Sequence, residues 1–316
     1  MDASIIVGYH NEAGLIQLLL ESITDNIRDR VEVILVDDAS DLTYNYDYAG
    51  EVRYLKVKER KGIGHAFDVG VSRARTNNII LCGGDIIFKG DKWLDYFLQD
   101  LEKDPKALYC GVCINLHEHA LDINAEGIVK GYGACILPFV EETTVFKTKW
   151  FGKPMGEGDV FSIPCILGAV YAVDKGWYEY IKGFKGHLYL GCLEPYVSIK
   201  NYMLGGTNKI DTRVECGHWF IQKERRFPIE SWQVAYNKLL TTLVLGGELK
   251  NKLFDHLNYI VGIDVAVEYL KNNRQAEIEE LRSYVDDHKV RSLSQFLKWQ
   301  DSLISRQGKS QSVKTR

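Results

Sequence analysis

Over the first hundred residues, short runs of β-branched and aliphatic residues alternate with longer stretches of helix-spaced apolar positions. Parallel strands joined by crossover helices give that alternation. Four strands are predicted, Ser4 to Gly8, Val31 to Asp37, Val52 to Val57 and Asn78 to Cys82. Each ends in polar or glycine-rich residues, where such a sheet presents a ligand crevice. Ala13 to Asn26, Ile63 to Ala74 and Trp93 to Leu101 carry apolar residues at helical spacing. The middle third mixes strands with glycine-rich loops around Gly131, Gly133, Gly152, Gly156 and Gly158, a composition suited to acceptor sites or lids. From about Ile229 helical periodicity takes over, in Trp232 to Leu245, Leu253 to Asn272 and Gln275 to Val285. The chain closes on the polar run Gly308-Lys309-Ser310-Gln311-Ser312, which is expected to be disordered.

Composition adds bounds. With 316 residues, 46% of them hydrophobic and 26% charged, the chain has room for one large or two modest domains. A formal net charge of -4 argues against a generally basic nucleic-acid binder. Lys289 to Arg316 is locally basic, with seven basic residues against the single acid Asp301. That segment reads either as a solvated tail or as a contact for a polyanion such as nucleic acid. The start, Met1-Asp2-Ala3-Ser4, has no basic n-region or long apolar stretch. The longest apolar run, Ile163 to Val173, contains Pro164 and falls short of the roughly 20 residues of a membrane-spanning helix. Neither secretion nor membrane insertion is expected. Seven cysteines, an odd number without regular spacing, read as reduced thiols of a cytoplasmic protein. Cys110-Gly111-Val112-Cys113 has redox or half-zinc-site spacing, but its flanks read as a buried strand and no second pair exists, so packing is expected.

Candidate chemistry falls at the strand ends. Tyr9-His10-Asn11-Glu12 follows the first strand and Val36-Asp37-Asp38-Ala39-Ser40 the second, which puts both at one sheet edge, where they suit a nucleoside. A carboxylate at Asp38 suits a pyrimidine N–H or a ribose hydroxyl, and equally a local helix-start cap. Arg60-Lys61-Gly62-Ile63-Gly64 sets cations and glycines just before a helix, where backbone N–H groups and the helix dipole favour phosphates. The strand Ile79 to Cys82 then ends in Gly83-Gly84-Asp85, a single carboxylate after two residues too small to crowd a phosphate. Asp85 is the metal-ligand candidate, for Mg2+ or Mn2+, ions that take few protein oxygens and fill their shell with phosphate and water.

In this order the motifs resemble the GT-A fold of family-2 glycosyltransferases, most closely the polypeptide N-acetylgalactosaminyltransferase branch, over about residues 3 to 222. Tyr9-His10-Asn11-Glu12-Ala13, Leu35 to Ser40 and Arg60-Lys61-Gly62 resemble that branch's first three motifs, and Gly83-Gly84-Asp85 falls where its Asp-x-Asp or Asp-x-His signature belongs. Gly168 to Val173 followed by Gly183-Phe184 is similar to the acceptor-side strand and its Gly-Gly-Phe turn. Cys216-Gly217-His218-Trp219-Phe220 resembles the Val-Gly-His-x-Phe segment whose histidine completes the metal site.

The resemblance implies an α/β, mostly parallel GT-A domain over residues 1–222 and a helical extension over 223–316. It implies a metal held by Asp85 and His218, and a nucleotide-sugar donor, best read as a UDP-sugar, bound by Tyr9, His10, Asn11, Glu12, Asp37, Asp38, Arg60, Gly62, Gly84 and Gly168. Glu194 lands on the second position of the inverting members' Glu-Asp pair, which implies a general base. Three positions depart from the pattern: Gly83 replaces the first acid, Leu190 a tryptophan and Leu193 the first glutamate. These departures count against N-acetylgalactosamine specificity and the branch's retaining mechanism, and they raise a rival reading, an inactive nucleotide-sugar-binding protein of the same fold. A retaining transferase, in which Glu194 only positions the donor, is a rival within the enzymes. The acceptor stays open between a glycan and a modified nucleic-acid base, such as hydroxymethylated phage DNA. His117-Glu118-His119 reads as a polar loop, while His187 and Tyr189 fall near the acceptor or on a surface turn.

Overall fold

Strands covered on both faces read as unbroken apolar runs, and this is how the centre of the sheet is built. A computed structural model describes residues 1–41, 45–116, 129–141, 144–220 and 229–313. The first half runs β1 (Ala3–Tyr9), α1 (Ala13–Ser22), α2 (Asp25–Arg28), β2 (Val31–Asp37), β3 (Glu51–Lys56), α3 (Ile63–Arg73), β4 (Asn78–Gly83), β5 (Ile86–Phe88), α4 (Trp93–Lys103) and β6 (Ala107–Leu116). The middle adds β7 (Lys130–Gly131), β8 (Ala134–Ile136), β9 (Thr148–Trp150), β10 (Val160–Ser162), β11 (Val170–Asp174), α5 (Lys175–Tyr180), α6 (Leu193–Met203) and β12 (Thr207–Trp219). Five helices follow: α7 (Ser231–Leu245), α8 (Lys250–Leu257), α9 (Ile263–Asn273), α10 (Gln275–His288) and α11 (Leu293–Val313).

The main sheet has the order β10-β12-β6-β11-β4-β1-β2-β3, with β5 on β12 and β7 on β6. β4, β1, β2 and β3 are mutually parallel, as is β12 with β6. β11 is antiparallel to both β4 and β6, and β10 to β12. All seven residues of β1 and of β2 are buried. The four predicted strands thus stand within one residue of their expected bounds. β8 and β9 pair only with each other, as a separate ribbon.

Three expectations change. The helix expected over Ala13 to Asn26 stops at Ser22, whose hydroxyl bonds back to the Leu19 carbonyl at 2.6 Å and accepts the Phe88 N–H at 3.0 Å. Such local bonding competes with the helix ladder. The stretch Leu253 to Asn272 is two helices, broken at Gly262, which takes a left-handed φ of 86°. The polar run expected to be disordered is drawn into the end of α11 as far as Val313. Extending a formed helix costs far less than nucleating one. Among the described residues, no helix is long and apolar enough to cross a membrane.

Behind the sheet's first strands, Glu32 has a fully buried side chain that accepts from Ser4 Oγ (2.6 Å), Arg75 N (2.7 Å), Arg75 Nε (2.9 Å) and Arg53 Nη1 (3.2 Å). Burial alone raises a carboxyl pKa, but these donors outweigh it and hold Glu32 below its ordinary value. Its stabilisation is therefore complete at neutral pH and is lost as pH falls through that depressed pKa. Glu32→Gln is expected to destabilise the fold by about 3 kcal/mol, because it leaves two arginines facing a neutral group. Urea unfolding at pH 7 checks this, and an unchanged midpoint rejects it.

Candidate active site

The register of β1 against its neighbours, Gly8 with Gly83 and Tyr9 with Asp37, brings three strand ends to one edge. A cleft of about 480 Å³ opens there. It is lined by Tyr9, His10, Glu12, Asp38, Arg60, Gly62, Gly83 and Asp85 from the parallel half. From the other side come Gly168, Tyr189, Leu190, Glu194, His218, Trp219 and Phe220. Residues more than 200 positions apart in sequence therefore face one another.

Asp85 and His218 meet because β5 pairs antiparallel with β12, His218 opposite Ile86, and the Trp219 N–H donates to the Asp85 carbonyl at 3.0 Å. His218 Nε2 lies 3.3 Å from Asp85 Oδ2. Burial works to lower the imidazole pKa, but the carboxylate's attraction and hydrogen bond outweigh it and raise it to about 10. The donor set fits a divalent cation: Asp85 and His218 set an oxygen and a nitrogen side by side, and together they would hold such an ion once the imidazole gives up its proton. Among the described residues no cluster of three His, Cys, Asp or Glu surrounds such a position. The pair would leave the remaining positions to phosphate and water. A Cβ on Gly83 would come within 2.7 Å of Asp85 Oδ1, so glycine here gives the carboxylate its room.

Glu194 lies in the first turn of α6. Burial raises its pKa, while its own backbone N–H and the positive charge of His218 pull the other way. A Cβ on Gly168 would sit 2.2 Å from Glu194 Oε1. Gly168→Ala is therefore expected to push the carboxylate aside and cut turnover about 10²-fold with the fold intact. Steady-state kinetics with a thermal melt check this, and an unchanged kcat counts against a working role for Glu194.

The loop before α3 is stitched down. Asp38 accepts the Lys61 N–H at 2.8 Å and the Gly62 N–H at 2.6 Å, one on each carboxylate oxygen. Gly62 has φ 96° and forms a bridge to Tyr189, whose N–H donates to the Lys61 carbonyl at 2.7 Å. A Cβ there would lie 2.3 Å from the Tyr189 carbonyl oxygen, so only glycine serves. Arg60 stacks over the Tyr189 ring at 5.8 Å. Tyr189 and Cys192 themselves hold left-handed φ values of 54° and 63°, backbone strain beside the cleft.

Several predicted residues are bonded into the frame of the cleft. Asp37 is fully buried and bound to the Ser40 N–H (2.6 Å) and the Tyr54 hydroxyl (2.7 Å). Asn11 pairs with Asp41 in both directions at 3.0 Å, joining the turns after β1 and β2. His10 lines the cleft and its Nδ1 donates to the Asp38 carbonyl at 2.7 Å. Gly84 lets Glu12 and Tyr9 lie over the turn, since a Cβ there would come within 2.8 Å of Glu12 Oε2. Neither Asp37 nor Asn11 is among the residues that line the cleft, and these bonds tie both into its frame.

His187 is likewise behind the cleft. Its Nε2 donates to the Gly191 carbonyl at 2.8 Å, and burial lowers its pKa to about 4. Cys110 and Cys113 are buried free thiols of β6, as packing predicts. His117-Glu118-His119 lies outside the described residues. Sequence reasoning missed Trp150, Leu193 and Ile229 as lining residues. The exposed tryptophan in Lys147-Thr148-Lys149-Trp150 was a signal to follow.

Residues 4–119 match the model of Glycosyl transferase family 2. The chain is 27% identical over 223 residues to mouse inactive polypeptide N-acetylgalactosaminyltransferase-like protein 5, covering 65% of this chain and 49% of that protein. It is 24% identical over 277 residues to mouse polypeptide N-acetylgalactosaminyltransferase 12, covering 81% of this chain and 45% of that protein. This chain thus spans about half the length of these relatives. Among solved structures, GalNAc-T7 with UDP, GalNAc and Mn2+ superposes with a TM-score of 0.69 at 14% identity, over 94% of this chain and 56% of that one. S. aureus TarS 1–349 with UDP-GlcNAc gives 0.50 at 11% identity, over 90% of this chain and 79% of that one. The fold is GT-A.

Proposed function

We propose, from the premise that this chain is a GT-A glycosyltransferase of family 2 near the polypeptide N-acetylgalactosaminyltransferase branch, that it moves a sugar from a UDP-sugar to an acceptor hydroxyl. One observation carries the reading: Asp85, His218, Arg60 and Glu194 share a single cleft at the carboxyl edge of the parallel strands. UDP in GalNAc-T7 and UDP-GlcNAc in TarS support the donor class.

Tyr9, His10 and Glu12 take the nucleoside end, and Arg60 with the N-terminus of α3 takes the diphosphate. Asp85 and His218 would hold Mn2+ or Mg2+. A divalent cation bound there supplies positive charge against the charge growing on the leaving diphosphate. Glu194 removes the acceptor's hydroxyl proton as that oxygen bonds to the anomeric carbon, while the sugar–phosphate bond breaks and its electron pair leaves on UDP. This is inverting transfer. A retaining route, with Glu194 positioning the donor, is the alternative outcome of the same experiment.

That experiment is a thermal-shift panel of UDP-sugars with Mn2+, followed by incubation of the best donor with glycan and nucleic-acid acceptors. Product NMR then reads the anomeric configuration. Stabilisation by a UDP-sugar and its turnover are expected, and failure of every UDP-sugar to bind rejects the function. A second reading, a binding protein without turnover, draws on Gly83, which leaves Asp85 without a neighbouring acid, and on the relative that is named inactive. Binding without turnover on any acceptor would select it. All seven cysteines are free, six of them buried, which supports the cytoplasm as the working compartment.

A further inference from the structure

A second cavity, of about 430 Å³, lies on the far side of the Gly62–Tyr189 bridge from the cleft. Lys61, His65 and Asp68 line it from α3 and the turn before it, at a spacing of four and then three that sets residues on one helix face. Arg274 and Glu277 line it from the junction of α9 and α10, and the stretch Phe184 to Leu188 completes it. A cavity of this size suits a small metabolite.

One cation in it is left over. Asp68 accepts the Tyr178 hydroxyl at 2.6 Å and the Phe184 N–H at 2.9 Å, and the buried Lys200 ammonium acts on it as well. Glu277 stands 2.6 Å from Arg274 Nε, and Lys185 reaches the exposed Glu280 at 3.2 Å. Among the described residues, Lys61 has no ion pair and the His65 ring makes no hydrogen bond. Burial first, and the Lys61 charge second, hold that imidazole below its ordinary pKa, so at neutral pH it offers one donor and one acceptor. Phe184 and His187 are 1% and 2% exposed, so neither ring opens a face on which a base could stack. A ligand fitting this arrangement carries one anionic group and several hydroxyls, without a flat ring.

We propose that this cavity binds a phosphorylated sugar, with its phosphate on Lys61 and His65 and its hydroxyls on Glu277 and Lys185, and that filling it tightens the hold of the cleft on the donor. Bare phosphate leaves most of the space empty, and an uncharged sugar leaves Lys61 unmatched. The coupling follows from the shared wall. Lys61 and Leu188 line this cavity, while their chain neighbours Gly62 and Tyr189 line the cleft. The Tyr189 N–H donates to the Lys61 carbonyl at 2.7 Å, and Asp38 accepts the N–H groups of both Lys61 and Gly62. A ligand that restrains Lys61 and Leu188 leaves Gly62 and Tyr189 with less freedom to lose when the donor arrives. This site is separate from the proposed transfer and goes beyond it.

The test is calorimetry of the full chain saturated with UDP and Mn2+, so that the cleft is occupied, titrated separately with glucose 6-phosphate, inorganic phosphate and glucose. Glucose 6-phosphate is expected to bind once per chain, about tenfold more tightly than phosphate, and glucose not at all. Lys61→Met, which keeps the stem and removes the charge, is expected to weaken glucose 6-phosphate about tenfold. Lys185→Glu is expected to do the same while UDP affinity, measured without the sugar phosphate, stays as in the wild type; it keeps the test sound should Lys61→Met fail to fold. In the wild type, saturating glucose 6-phosphate is expected to tighten UDP about fivefold, at the lower end of ordinary couplings. The inference is overturned if the UDP-filled chain takes up no glucose 6-phosphate, if phosphate alone binds as tightly, if the folded variants bind it unchanged, or if UDP affinity does not respond to it. Failure of UDP itself to bind strikes instead at the proposed transfer, and the sugar-phosphate titrations of wild type and variants then decide this site alone.

Discussion

Asp85→Ala is expected to lower sugar transfer by about 10³-fold at saturating donor and Mn2+, the range seen when a preorganised charge partner of a transition state is removed. The size follows from how little else is available. Asp85 has one imidazole 3.3 Å away, and no third protein ligand stands by among the described residues. The loss would leave His218 alone to hold the cation. Initial rates with a UDP-sugar, with and without chelator, measure the effect. A wild-type rate that survives chelation would show that the cation has no part in transfer. Calorimetry of the metal alone should show weak binding that strengthens when UDP-sugar is present, because the donor's phosphates complete the shell.

The second large effect belongs to Glu194→Gln. Amide and carboxylate are nearly the same size, so donor binding should persist while kcat falls about 10³-fold, as when a general base is removed. In the wild type, burial holds the Glu194 pKa above its ordinary value. A base works only when ionised, so the rate should climb with pH through that raised value and then level off. The Gln variant should lose this acidic limb. If the variant instead keeps its kcat and loses donor affinity, Glu194 positions the sugar and the retaining route gains ground.

The parallel half of the sheet was legible because strands covered on both faces are mostly apolar, Ser4 and the paired Glu32 being exceptions, and because each ends in polar or glycine residues. Asp85 and His218 could be paired only through resemblance, since 133 positions and the β5–β12 pairing separate their contact from anything local in the chain. Asp37 and Asn11 sit behind the cleft lining, and the sequence could not show this, for a physical reason. A short polar side chain at a strand end serves equally as ligand contact or as turn bond, and only coordinates show that their oxygens and nitrogens are already engaged. Trp150 stayed hidden for a different one, because a two-stranded ribbon of three-residue strands carries too little periodicity to mark its faces.

Gln300 gives this ribbon an unexpected tether. Its side-chain amide bonds both backbone groups of Ile136, accepting at 2.8 Å and donating at 2.9 Å, as a third strand would. The last helix thereby clasps the ribbon whose Trp150 lines the cleft. Exchange of acceptors between related enzymes would then be a matter of swapping ribbon and helix together, as one cassette, with the sugar-nucleotide machinery carried over untouched.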